Sequence, residues 1–212
     1  AGLTQAATEY SWGTPNGLLA QHLAGSDSHE ALIDPRVCAV IAIGPWGRNA
    51  GFWDAGGVAG LRKPTLLMAG GSDDVSVYET IRTLFEEATG TDRHLLTFTN
   101  ANHNAAAPIP APKESWEPVD TLDFVPFEHY ADPVWDTVRM NNVAQHFATA
   151  FLDLHLKGDL SKKVFLDLIP DGSQGVMALD EEANPTDDHT YWTGFSARTA
   201  TGLRFETKRA GE

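Results

Sequence analysis

The stretch Thr65-Leu66-Leu67-Met68-Ala69-Gly70-Gly71-Ser72-Asp73-Asp74 decides the fold class of this chain. Thr65 to Ala69 form an apolar run between Lys63-Pro64 and Gly70-Gly71. A run without polar alternation suits a strand buried on both faces, as in a parallel sheet covered by helices. Downstream, Val77, Ile81, Leu84, Phe85 and Ala88 recur at helical spacing until Gly90. Leu95 to Phe98 is a second apolar run, and Val37 to Ile43, after the turn signal Asp34-Pro35, is a third. Strand, helix and strand in that order make a right-handed crossover unit. The expectation is an α/β fold with parallel strands and crossover helices.

Outside this centre the patterning changes. Asn16 to Leu23 reads as a short helix stopped near Gly25. Residues 104–132 are rich in proline and aromatic side chains and have no period, which reads as a functional loop or lid. A long helix is expected from Pro133 to Lys157, closed by Gly158, with the apolar stripe Val143, Phe147, Ala150, Phe151 and Leu154. The tail turns acidic from Asp171 and then aromatic at Tyr191, Trp192 and Phe195. It divides the chain into a main portion, 1–170, and an extension, 171–212, that packs on the same domain.

The charge balance narrows the partners. Fifteen Lys and Arg stand against 29 Asp and Glu, a net charge of −14. A nucleic-acid groove or an anionic membrane surface needs a basic patch, so neither is expected. No run reaches the roughly 18 apolar residues that span a bilayer. The start, Ala1 to Ala7, has neither an initiator Met nor the basic-then-apolar order of a signal peptide. The single cysteine, Cys38, lies in the first apolar run and reads as a buried core filler, with no internal disulfide. Neither His-x-x-x-His nor Cys-x-x-Cys occurs, so no metal and no cofactor is expected.

The chemistry gathers where strands end. In open α/β sheets ligands bind at the carboxyl edge. Asp73 leaves the second strand there, and His103, in Ala101-Asn102-His103-Asn104, follows the third. A carboxylate that orients an imidazole also stabilises the imidazolium formed during proton transfer. The competing reading of Asp73 and Asp74 is a helix N-cap, with one Asp catalytic and the other capping. Asp73 is preferred as the acid because it leaves the turn first. His129 is the runner-up base, but it stands too far into the long loop to follow a strand. Trp46 and Trp53, on the loop after the first strand, are candidates to line a substrate pocket or are ordinary packing residues.

Three segments resemble the C-terminal part of bacterial α/β-hydrolase-fold serine esterases of the dienelactone hydrolase and lipase-like kind. They are Asp34-Pro35-Arg36-Val37 leading to Gly44-Pro45-Trp46, Lys63-Pro64-Thr65-Leu66-Leu67 leading to Gly71-Ser72-Asp73-Asp74, and Ala101-Asn102-His103. The Pro-Trp pair also looks like the loop of cutinase-like polyester hydrolases, where an aromatic lines the cleft. The likeness covers roughly residues 30–158. It implies that the three strands are the last three of the family's eight-stranded sheet, and that Asp73 and His103 are two of three triad members. The family's triad runs Ser, then acid, then His. No Gly-x-Ser-x-Gly occurs in this sequence. The resemblance therefore implies an N-terminal polypeptide that carries the nucleophilic serine, the oxyanion hole and the earlier strands, with Ala1 to Ala7 as the remainder of the helix after the serine.

The expected function is cleavage of a small-molecule carboxylic ester by the completed enzyme. Other readings stand beside it: a non-catalytic binding module of the same fold, or a dienelactone hydrolase or peptidase on the same scaffold. Cys38, inside a strand, is excluded as nucleophile.

Overall fold

A computed structural model describes residues 26–107 and 111–212 of the chain. The expected helix over 16–23 and the expected helix remnant over 1–7 lie outside the described residues. Among the described residues the sheet has four strands, β1 (Val40–Ile43), β2 (Thr65–Gly70), β3 (Arg93–Phe98) and β4 (Leu203–Lys208), in the order β1-β2-β3-β4. The first three run parallel and β4 pairs antiparallel with β3. Among the described residues four α-helices accompany them: α1 (Asp27–Glu30), α2 (Ala55–Ala59), α3 (Tyr78–Glu87) and α4 (Thr137–Lys157). The molecule is a mixed α/β structure with a mostly parallel sheet.

The continuous apolar runs have a direct cause. Leu66 and Met68 of β2, with Leu96 and Phe98 of β3, face α4 through Met140, Val143, Phe147 and Phe151. Their sequence neighbours Leu67, Ala69 and Leu95 face the other way, onto Ile81, Leu84 and Phe85 of α3. With both faces covered, successive side chains of these runs are all buried, and the polar Thr65, Arg93, His94 and Thr97 of the same strands are buried with them.

The tail is where the observed sheet exceeds the expected one. Leu95 to Phe98 is not the last strand, because β4 pairs along its whole length. Leu203 and Phe205 of β4 are buried, while Arg204, Glu206 and Lys208 are half-exposed. Glu206 receives Arg82 of α3 in an ion pair. The outer side of β4 is covered in part, since the Phe205 N–H donates to Pro170 O and Asp171 bridges Arg204. At the opposite edge, all four residues of β1 are only half-buried, and Leu32, Ile33 and Val37, which precede it in sequence, are exposed. Cys38 is exposed and precedes β1, so it is not a core filler. The strand opens at Val40, where β2 begins to pair.

One end of the long helix differs from the sequence reading. The long helix begins at Thr137 rather than Pro133, capped by Asp136, whose carboxylate accepts the Arg139 N–H. Residues ahead of it form a separate turn, in which Asp132 accepts the N–H groups of Val134 and Trp135. Its C-terminal end at Gly158 agrees with expectation. Between β3 and α4 the segment 111–135 holds two short 3-10 turns, Lys113–Trp116 and Pro126–His129, joined by stacking of Trp116 on Phe127.

Candidate active site

Loops from β1, β2 and β3 meet at the carboxyl edge of the parallel strands. Close crossing of two of them starts at Gly70. A Cβ there would overlap the carbonyl oxygens of Ala101 and Asn102, so only glycine lets the loops pass. Just beyond, the Gly71 N–H donates to Phe98 O and the Ser72 N–H to Ala101 O, both at 2.8 Å. These bonds fix the acid-bearing loop against the histidine-bearing loop.

Asp73 and His103 face each other across that seam. The imidazole Nδ1 lies 3.0 Å from Asp73 Oδ2 and 3.2 Å from Oδ1. The carboxylate is fully buried, whereas the His103 side chain is 36% exposed. Asp73 Oδ1 also accepts the N–H groups of Val75, at 3.0 Å, and Ser76, at 2.8 Å. A buried carboxylate needs such donors, because an unpaired charge in the interior is costly. These donors belong to the turn before α3, whose N-cap is Val77 without a side-chain cap, so neither Asp73 nor Asp74 is the helix N-cap that the sequence reading allowed. Asp74 is exposed, and its backbone N–H faces Asn102 Oδ1 at 3.5 Å. With the carboxylate on Nδ1, that nitrogen carries the proton and Nε2 is left as the basic atom. Nε2 has no hydrogen-bond partner among the described residues and is not one of the buried, unpaired nitrogens.

The loop after β1 closes the third side. Gly44 has φ +51°, and a Cβ on it would come within 3.2 Å of His103 Cε1. The Ser76 hydroxyl donates to Gly44 O at 2.8 Å, which ties the β1 and β2 loops together. On the same loop Trp46 meets Phe52 edge-on, with ring centroids 5.2 Å apart. Trp53 is 42% exposed, with its ring over the Gly47 backbone. His129 is exposed and packs edge-on against Phe124, without a carboxylate partner among the described residues.

Sequence reasoning missed the residues behind His103. Asn102 Oδ1 accepts the His103 N–H at 2.6 Å, and Asp132 Oδ2 accepts the Asn102 N–H at 2.6 Å. Asn104 Nδ2 donates to Glu128 O and Ala131 O, joining the same loop to the 111–135 segment. The Asp132-Pro133 pair was a visible turn signal, but nothing local pointed it at His103.

Among the described residues, no group of three or more His, Cys, Asp or Glu is arranged to hold a metal ion. No helix of the described residues is long and apolar enough to cross a membrane. Several other histidines are structural. His94 stacks on Phe205, and burial pushes its pKa down to about 3. Burial also lowers His146 and His155. No known family model matches this chain, and no curated protein matches it.

Proposed function

We propose that this chain carries the acid and the base of a carboxylic-ester hydrolase on the C-terminal part of an α/β-hydrolase fold. The observation that carries the reading is the Asp73–His103 pair, with Nδ1 within hydrogen-bond reach of a buried carboxylate at the carboxyl edge of the sheet. The nucleophilic serine belongs to an N-terminal segment or partner chain. Among the described residues no hydroxyl is bonded to His103, and Ser76 is engaged by Gly44.

In this reading His103 Nε2 takes the proton of the serine as it attacks the ester carbonyl. The same nitrogen then donates that proton to the leaving alcohol. Water, deprotonated by His103 in turn, releases the acyl group. Asp73 holds the imidazole in its Nδ1–H tautomer and stabilises the imidazolium. Backbone N–H groups of the N-terminal segment stabilise the oxyanion. Trp46 and Trp53 stand on the β1 loop that touches His103 and would line the acyl or aryl side of the cleft. The half-buried β1 edge and the exposed Leu32, Ile33 and Val37 fit a segment that adds strands there. Among the described residues β1 pairs with β2 alone, and an unpaired apolar edge invites pairing with another segment or chain.

The test is ester cleavage by the protein assembled with its serine-bearing segment. His103→Ala should reduce turnover to background. Asp73→Asn should lower kcat by about 10⁴-fold, while Asp74→Asn stays near the wild-type rate. Near-normal turnover by the His103 variant would refute the assignment and leave a binding module of the same fold as the better account.

A further inference from the structure

We infer that Asp132 is a positioning residue for His103, acting through Asn102; this rests on the reading of His103 as the base. Three backbone N–H groups converge on its carboxylate. Oδ1 accepts Val134, at 2.9 Å, and Trp135, at 2.8 Å, while Oδ2 accepts Asn102 at 2.6 Å. The Asn102 side chain then accepts the His103 N–H at 2.6 Å. A continuous set of hydrogen bonds therefore runs from the start of the α4 turn to the backbone that carries the imidazole.

The base loop needs such a hold. It leaves β3 through Asn100, at φ +61°, and its ring meets Gly44 on one side and Asp73 on the other. A shift of about 1 Å in a reacting group can cost about 100-fold in rate. The far end of the hold is rigid, because Trp135 is buried and its indole N–H donates to Thr99 O at 2.8 Å.

Both oxygens of the Asp132 side chain accept from these donors. An amide in its place would turn its NH₂ toward an N–H group in either orientation. Asp132→Asn therefore breaks the set with little change of volume. Asn102→Ala breaks it one step later and leaves the bonds of Asp132 to Val134 and Trp135 in place. Asn102→Asp keeps an acceptor for the His103 N–H.

The first arm is imidazole ¹H–¹⁵N NMR on the 212-residue chain. It needs no nucleophile. The Nδ1–H signal of His103, identified by its loss in His103→Ala, should shift or broaden in Asp132→Asn and Asn102→Ala and return in Asn102→Asp. Asp136→Ala removes the helix cap four residues away without touching this set, so it controls for general destabilisation and should leave the signal in place. In the assembled esterase, Asp132→Asn should lower kcat by about 10- to 100-fold at nearly constant KM. An unmoved signal in both Asp132→Asn and Asn102→Ala overturns the inference, as does an equal loss in Asp136→Ala. If Asp132→Asn does not fold, Asn102→Ala decides alone. If His103→Ala leaves esterolysis intact, the esterase reading fails, and the NMR arm still settles whether Asp132 holds the imidazole.

Discussion

At the scale of single residues, Asp73 does two things with one carboxylate. It accepts the two N–H groups that open the turn before α3, and it faces His103. Because those donors are backbone groups, they hold the carboxylate in place whatever the histidine does. Gly70 is the residue that makes the meeting geometrically possible. Gly70→Ala would place a methyl group on the Ala101 and Asn102 carbonyls and push the two loops apart. Overpacking of this kind costs about 1–3 kcal/mol. Urea denaturation should show a loss of that order, together with a weakened Nδ1–H signal from His103. A variant of full stability with an unchanged signal would mean that the backbone relaxes around the methyl group.

At the scale of elements, α4 joins the core to the site. Its inner face, Val143, Phe147 and Phe151, covers one side of the sheet, and its first turn follows directly on the Asp132 turn. Asp136 accepts the Arg139 N–H at 2.8 Å, satisfying one of the free N–H groups at the helix start. Asp136→Ala should lower stability by about 1 kcal/mol, read as a lower urea midpoint at an unchanged m-value. A loss far above that would show that the cap also organises the preceding turn. In α3, Arg82 pairs with Glu206, so this helix is tied to the last strand by charge, while Phe85 and Leu84 pack it on β2 and β3.

For the whole molecule, the buried histidines set the response to acid. His94 lies between Phe151 and Phe205, with Nδ1 on the Thr207 hydroxyl and Nε2 buried without a hydrogen-bond partner among the described residues. His155, Arg209 and Asp92 surround it, and the first two oppose its protonation while Asp92 favours it. Its pKa is depressed in the folded state to about 3, from an ordinary 6.5. The unfolded chain therefore binds the proton first as pH falls. Stability is complete above about 6.5 and declines below it, by up to about 1.4 kcal/mol per pH unit from this residue. His155 and His146 shift in the same direction. Urea midpoints should fall between pH 7 and pH 5, and His94→Gln should flatten that fall. An equal slope in the variant would assign the acid response elsewhere.

What the chain encodes locally and what its folding adds divide along physical lines. The central strands, α3, the C-terminal end of α4 and the places of Asp73 and His103 could all be read from the chain alone. Burial on both faces writes itself as unbroken apolar runs, and a strand's end lies next to its own residues. Strand β4 carried its own alternation of Leu203 and Phe205 with Arg204, Glu206 and Lys208, yet its pairing with β3 joins segments remote in sequence. The exposure of Cys38, the burial of His94 and the bond from Asp132 to Asn102 were equally hidden. Periodicity is a local property, whereas burial and hydrogen-bond partners depend on which distant segments the fold brings together. The sequence by itself determined the α/β class and the acid and histidine at successive strand ends; only the tertiary structure decided that Asp73, not Asp74, meets the imidazole, and that Asp132 stands behind it.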